Sequence, residues 1–214
     1  MRNKSIYFIV SFILLFVFAS NSQTTYKAIK DTTLFKKNLQ SATGKTNTIA
    51  CDFVQEKQIS KMNQPVVSKG KFWFKKPSSI RWEYTEPYSS LIILSKKKAY
   101  VKDENKSKEY DTQSNKMFQD MGEVMFSFIL GDVGAAEKKY KMDYRENNET
   151  YFVKLIPLNK AVSGSLTQVE MFFDKKDYTL SKIIMYESGS DFTSISFKNK
   201  AINKEVSNEL FKFR

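Results

Sequence analysis

The sequence predicts a mainly β protein, one large curled antiparallel sheet with amphipathic helices laid on one of its faces. Three observations predict it. Most of the chain alternates apolar and polar residues at period two, two stretches switch to helical spacing, and short polar turns join the alternating segments, as they do between antiparallel neighbours. The 214 residues include 18 Phe and 11 Tyr but only 7 Gly and 4 Pro, ample material for a core and little for a disordered or collagen-like chain.

Residues 1–22 read as a cleaved export signal. Arg2 and Lys4 form a basic start, Ile6–Phe18 an apolar run, and Ala19-Ser20-Asn21-Ser22 a small polar exit before Gln23. The run is shorter than the about 20 residues that a membrane-spanning helix needs. No Cys follows it to take a lipid anchor. Residues 23–214 then form a single domain outside the cytoplasm, since no repeat, linker or low-complexity segment divides them.

The first helix begins at the capping residue Asp31, with Leu34, Phe35, Leu39 and Ala42 on one face, and ends at Gly44. Strands follow. Ile49, Cys51 and Phe53 alternate with Ala50, Asp52 and Val54; Phe72 and Phe74 flank Trp73; Ile80, Trp82 and Tyr84 alternate with Arg81 and Glu83. Leu91–Leu94 and Ala99–Lys102 turn through the intervening Ser95-Lys96-Lys97-Lys98. The second helix, after Asn115, carries Met117, Phe118, Met121, Val124, Met125 and Phe128 as a stripe that stops at Gly131. Two hairpins come next, Lys141–Arg145 with Tyr151–Ile156 and Gln168–Phe173 with Thr179–Glu187, and a last strand spans Phe192–Asn199.

Composition excludes several chemistries. With no His there is neither a Ser-His-Asp nor a Cys-His nucleophile system and no His-ligated metal, and the single Cys cannot build a thiolate site or an intrachain disulfide. No metal, cofactor or catalytic residue is expected. A carboxylate pair drawn from Glu83, Glu86 or Asp103 could in principle hydrolyse a glycoside, but acidic residues here alternate with Lys as on a solvated surface. The formal charge of +12 is dispersed in pairs and triplets of Lys, and export argues against nucleic acid; a solvated surface or attraction to anionic headgroups accounts for it. Cys51, inward beside Ile49 and Phe53, reads as a small apolar filler.

The most informative segment is Gly70-Lys71-Phe72-Trp73-Phe74-Lys75-Lys76-Pro77-Ser78-Ser79-Ile80-Arg81-Trp82-Glu83-Tyr84-Thr85-Glu86-Pro87. It resembles the LolA family of periplasmic outer-membrane lipoprotein carriers, with their G-x-(apolar)-W-(apolar)-K-R-P corner and an aromatic strand ending before T-x-P. Flanking features agree in order: Phe53-Val54-Gln55 upstream, Ile129-Leu130-Gly131 at a helix end, Val153–Pro157, and the terminal pair Phe211 and Phe213.

The resemblance implies an incomplete antiparallel barrel around an apolar cavity, with helices as a lid and lipoprotein acyl chains as cargo. It implies a monomeric periplasmic chaperone that receives acylated lipoproteins from an inner-membrane releasing transporter and carries them to the outer membrane, leaving the acceptor there open. The residues suit that work. Phe53, Phe72, Phe74, Ile80, Trp82 and Tyr84 from the strands, with Met121, Met125 and Phe128 from the second helix, would give a dry, adaptable lining. At about 0.8 kcal/mol per buried CH2, one long acyl chain is worth roughly 10 kcal/mol, so a shuttle needs partial burial and a lid that competes with cargo.

Two departures stand out. Lys76 occupies the corner where the family usually has Arg tying the lid to the barrel, and an ammonium lacks the planar fork that Arg offers. Arg81 is therefore a second candidate latch, or simply an outer-face residue beside Glu83. The chain also stops at Arg214, soon after Phe213, where many carriers continue, so the docking served by that tail is not carried over. The alternative function on the same fold is an envelope sensor of lipid or lipopeptide.

Overall fold

The computed structural model describes residues 25–158 and 166–213; the expected export segment 1–22 lies outside them. Twelve strands form one antiparallel sheet: β1 (Lys27–Ala28), β2 (Thr48–Gln58), β3 (Val66–Lys75), β4 (Ser79–Glu86), β5 (Ser90–Leu94), β6 (Lys98–Lys102), β7 (Ser107–Asp111), β8 (Tyr140–Glu146), β9 (Thr150–Pro157), β10 (Leu166–Asp174), β11 (Leu180–Glu187) and β12 (Phe192–Ile202). Helix α1 (Thr32–Gly44) joins β1 to β2, and α2 (Lys116–Ile129) with the single turn α3 (Gly134–Glu137) joins β7 to β8.

The spatial order is β1-β8-β9-β10-β11-β12-β2-β3-β4-β5-β6-β7. Two meanders, β2–β7 and β8–β12, are thus sewn together where β12 pairs β2 from Phe192 opposite Gln58 to Ile202 opposite Ile49. The outer strands β1 and β7 do not pair with each other, so the sheet curls without closing. The expected unclosed antiparallel fold is present.

Alternation sets the faces as the sequence predicts. Along β4, Ile80 and Trp82 are buried and Tyr84 half-buried, whereas Arg81 and Glu83 point the other way. The register stacks inner residues in rows: Ile49, Phe74, Ile80, Leu94 and Ala99 in one, and Cys51, Phe72, Trp82, Ile92 and Val101 in the next. Burial pushes the Cys51 thiol up to about 12, which makes it the inert filler expected.

Gly70 has a steric reason. A Cβ there would lie 2.0 Å from the Glu83 carbonyl oxygen and 2.7 Å from Cζ of Phe53, the residue directly opposite it in β2. The Phe53 ring occupies the space that a side chain on Gly70 would need.

The helices differ from expectation in detail. Asp31 caps α1, accepting from the Leu34 amide at 2.8 Å, but the buried stripe is Phe35, Leu39 and Thr43, and Leu34 is 52% exposed. Thr43 can occupy an apolar face because its hydroxyl donates to the Leu39 carbonyl at 2.7 Å. Asn115 caps α2 and Gly131 ends it with φ +73°. Strands β1 and β7 and helix α3 are short elements that the apolar periodicity does not signal.

The C-terminus is the larger surprise. Phe211 closes a short 3-10 turn, Asn208–Phe211, on a segment that crosses the outer face of the sheet. The Lys75 ammonium donates to the Val206 carbonyl at 2.8 Å, and the Phe213 ring stacks on Tyr100 with centroids 5.4 Å apart. This strap covers Tyr100, which with the buried Ile93 faces outward beside Arg81 in the ladder.

Candidate functional site

The expected lining residues divide by element. Phe53, Phe72, Phe74, Ile80 and Trp82 lie together on the inner face and are buried, with Tyr84 half-buried at the end of the group. Phe53 meets Trp82 at 4.9 Å and Tyr84 at 5.1 Å between ring centroids; Phe72 meets Trp82 at 5.4 Å; Phe197 of β12 completes the cluster at 5.8 Å from Phe72. These tilted and edge-on contacts are the arrangements that aromatic quadrupoles favour.

Phe128 of α2 is buried against Phe173 of β10 at 5.6 Å, well away in the sheet from the β2–β4 cluster, and Met125 is half-buried beside the core. Met121 lies on α2, but its side chain is outside the described residues. An opening of about 460 Å³ runs between α2 and the turn after β5, lined chiefly by Phe118, Gly122, Phe126 and Leu130 on one side and Leu94 to Lys97 on the other.

Two helices cover the face, and they touch. A Cβ on Gly131 would fall 2.2 Å from the Thr43 hydroxyl and 2.9 Å from the Leu39 carbonyl, so the end of α2 sits directly on the last turn of α1. Lys76, in the corner between β3 and β4, reaches the same turn. Its ammonium donates to the Gly44 carbonyl at 2.6 Å and approaches that of Thr43 at 3.5 Å. A cation at this position meets the orphan carbonyls and the negative end of the helix dipole together.

Arg81 does not reach the helices among the described residues. Its guanidinium chelates the Glu83 carboxylate at 2.7 and 2.9 Å, donates to the Leu210 carbonyl at 3.0 Å, and lies over Trp73. The reason is alternation: an odd position in β4 faces outward, toward the C-terminal strap. Of the two candidate latches, Lys76 alone contacts an α-helix among the described residues, whereas Arg81 reaches only the C-terminal 3-10 turn.

A second tie went unforeseen. Lys36 of α1 forms an ion pair with Glu137 of α3, and the Tyr144 hydroxyl donates to the same carboxylate at 2.9 Å. Burial works against the ionised carboxylate, but the hydrogen bonds from Lys36 and Tyr144 outweigh it and hold Glu137 below its ordinary value of 4.5. Burial, reinforced by that carboxylate, pushes Tyr144 far up. No local pattern signals this pairing, because its three members come from separate elements.

The sign for pH follows. A carboxylate depressed in the folded state stabilises it above the unfolded value, and that contribution is lost as pH falls through the folded one. The melting temperature of the parental protein should therefore exceed that of Glu137→Gln by most near pH 7, with the gap shrinking below about pH 4.5. A gap that stays constant from pH 7 to 3 would remove Glu137 as the titrating group.

One inner-face group has no counterpart. The Trp82 indole Nε1 lacks a hydrogen bond of normal geometry; it lies near enough to the Tyr84 hydroxyl to favour that group's ionised form, which burial more strongly opposes. The Tyr84 hydroxyl itself donates to Gln55 Oε1 at 2.9 Å.

The fold and the corner can be set beside known proteins. The family model described as outer membrane lipoprotein carrier protein LolA matches residues 44–214. The chain belongs to the LolA family. Relatives named outer-membrane lipoprotein carrier protein include one from Methylococcus capsulatus, 23% identical over 97% of this chain and 92% of its own length. Another, from Idiomarina loihiensis, is 24% identical over 83% of this chain and 82% of its own.

Solved structures share the architecture at much lower identity. An uncharacterised conserved protein from Thermus thermophilus matches with a TM-score of 0.53 at 6% identity, over 86% of this chain and 95% of that one. The MucA/MucB complex of Pseudomonas aeruginosa matches with 0.51 at 11%, over 86% of this chain and 62% of that one. These likenesses show the fold alone. LolA-family proteins are carriers and not enzymes.

Proposed function

We propose that this protein is an envelope chaperone that takes the acyl chains of lipoproteins onto its inner face and carries them from the inner membrane to the outer. In this reading residues 1–22 direct export to the periplasm and residues 23–214 form one carrier domain. The chain works as a monomer, receives cargo from a lipoprotein-releasing transporter, and binds no nucleic acid. The observation that carries the reading is the aromatic inner face of β2–β4, continuous in one apolar core with Phe35 and Leu39 of α1 and Phe128 of α2, with α1 gripped at its C-terminal end by Lys76.

Phe53, Phe72, Phe74, Ile80, Trp82 and Tyr84 would line the cavity from the sheet side, and Met121, Met125 and Phe128 from the helix side. Acyl chains would enter by displacing the helices, since the rings now pack on one another. Lys76 would be the latch. Such an arrangement trades helix-to-sheet burial for cargo-to-sheet burial, which keeps net affinity low enough for release.

The test is what copurifies. Protein isolated from its native envelope should bring diacyl or triacyl lipoproteins, read by mass spectrometry of the bound fraction. Recovery of a regulatory protein partner bound to an empty chain would favour a sensor instead and overturn the carrier reading.

A further inference from the structure

Trp82 presents a problem that ordinary core packing does not solve. Its side chain is only 9% exposed, yet its Nε1–H finds no hydrogen-bond partner among the described residues. Buried donors left unpaired are rare, and an indole N–H can only donate. A Phe at this position would fill much of the same apolar space without an orphan.

The surroundings grade from apolar to polar along β4. Ile80, 2% exposed, stands between Phe74 and Leu94 in the ladder; Trp82 stands between Phe72 and Ile92; Tyr84, half-buried, stands between Gly70 and Ser90. Beyond Trp82 the inner face becomes polar, with Gln55 and the Tyr84 hydroxyl bonded to each other. The Tyr84 proton is committed to that bond. Trp82 therefore offers a buried side-chain donor that lacks a hydrogen bond of normal geometry among the described residues, at the boundary between a hydrocarbon-like floor and a polar rim.

An acyl chain has the same grading: a methylene tail, then a carbonyl that accepts hydrogen bonds and donates none. We infer that the Trp82 indole N–H donates to the ester or amide carbonyl of a bound acyl chain, fixing its depth and favouring acylated cargo over plain alkyl chains. With the tail toward Phe74 and Ile80 and the carbonyl at Trp82, each group of the ligand meets its match, and the orphan donor of the empty face is satisfied. The inference rests on the acyl-binding reading above.

The probes are phosphatidylglycerol with two palmitoyl esters and its dihexadecyl ether counterpart, which has equal tails without carbonyls. The parental protein should bind the diester roughly tenfold more tightly, the range for one hydrogen bond to an otherwise unsatisfied buried donor. Trp82→Phe should abolish that preference by weakening the diester alone. Because the chain has two Trp, Trp73→Phe leaves Trp82 as the sole indole, and its N–H proton resonance should move downfield with the diester and not with the diether.

Equal affinities in the parental protein, a preference that survives in Trp82→Phe, or an indole resonance unmoved by the diester would each overturn the inference. In all three cases diether binding shows separately that the apolar face still takes lipid. If neither lipid binds the parental protein, the acyl-binding reading falls and this inference with it.

Discussion

Gly70→Ala is expected to lower the melting temperature by about 6–12 °C, the shift for a loss of about 3 kcal/mol in a domain of this size. Gly to Ala in a strand ordinarily gains a few tenths to about 1 kcal/mol through the unfolded chain. Here the added methyl would sit 2.0 Å from the Glu83 carbonyl oxygen and within 2.8 Å of two Phe53 ring carbons. The carbonyl is backbone and cannot swing away, so β3 must part from β4 or Phe53 must leave its site among Trp82 and Tyr84. Overpacking of this kind costs typically about 1–3 kcal/mol, and movement of the ladder adds to it.

Gly44→Ala is the control. Nothing lies within 4 Å of a Cβ there, and the residue is helical, so it should melt at or slightly above the parental temperature. Equal melting of Gly70→Ala and Gly44→Ala in a thermal scan would show that Phe53 does not depend on the gap at Gly70.

What the sequence made legible, and what it did not, divides along the range of the interaction. Period-two alternation is a local property, so Ile80, Trp82 and Tyr84 could be assigned to one face and Arg81 and Glu83 to the other. Caps are local too, and Asp31 and Asn115 begin their helices where expected. The pairing of β12 with β2 is not local: Phe192 and Gln58 are joined only because two separate meanders must cover each other's edges.

Thr43 and Leu34 exchanged places for a similar reason. Hydrophobicity favours Leu34 inside, but the end of α2 brings Gly131 against Thr43, and the Thr hydroxyl is satisfied within its own helix. Strand β7, Ser-Lys-Glu-Tyr-Asp, has almost no apolar signal because it is an edge held by backbone bonds to β6. Phe213 serves the strap by stacking on Tyr100, a contact between distant positions that no local pattern signals. Arg81 is legible as an outer residue from alternation alone; its partner Leu210, 129 positions away, is not.

The corner Lys gives the functional prediction of largest effect. Lys76→Leu should yield a protein that takes up lipoprotein at least as well as the parent but hands it on more slowly, by roughly tenfold for each 1.4 kcal/mol of closed-state stability removed. The ammonium makes one short charge-assisted bond, to Gly44, and one long one, to Thr43. Such bonds are worth about 1.5–3 kcal/mol when shielded, and the half-buried position of Lys76 places the loss nearer the lower figure. Removing them weakens the hold on the last turn of α1, and Gly131 transmits the loosening to α2 because the two helices touch there. On the proposed mechanism the empty, closed form would lose stability, whereas a loaded form with α1 displaced would lose little. The equilibrium therefore shifts toward loading and against release. Arg81→Leu is the informative partner: its guanidinium holds Glu83 and the strap at Leu210, so it should loosen the C-terminal segment and leave the helices in place. A two-step assay separates the cases, with release from inner-membrane vesicles onto the carrier first and delivery to outer-membrane vesicles second. Delivery by Lys76→Leu at the parental rate would remove Lys76 as a latch, and a delivery defect confined to Arg81→Leu would move the controlling element from α1 to the strap.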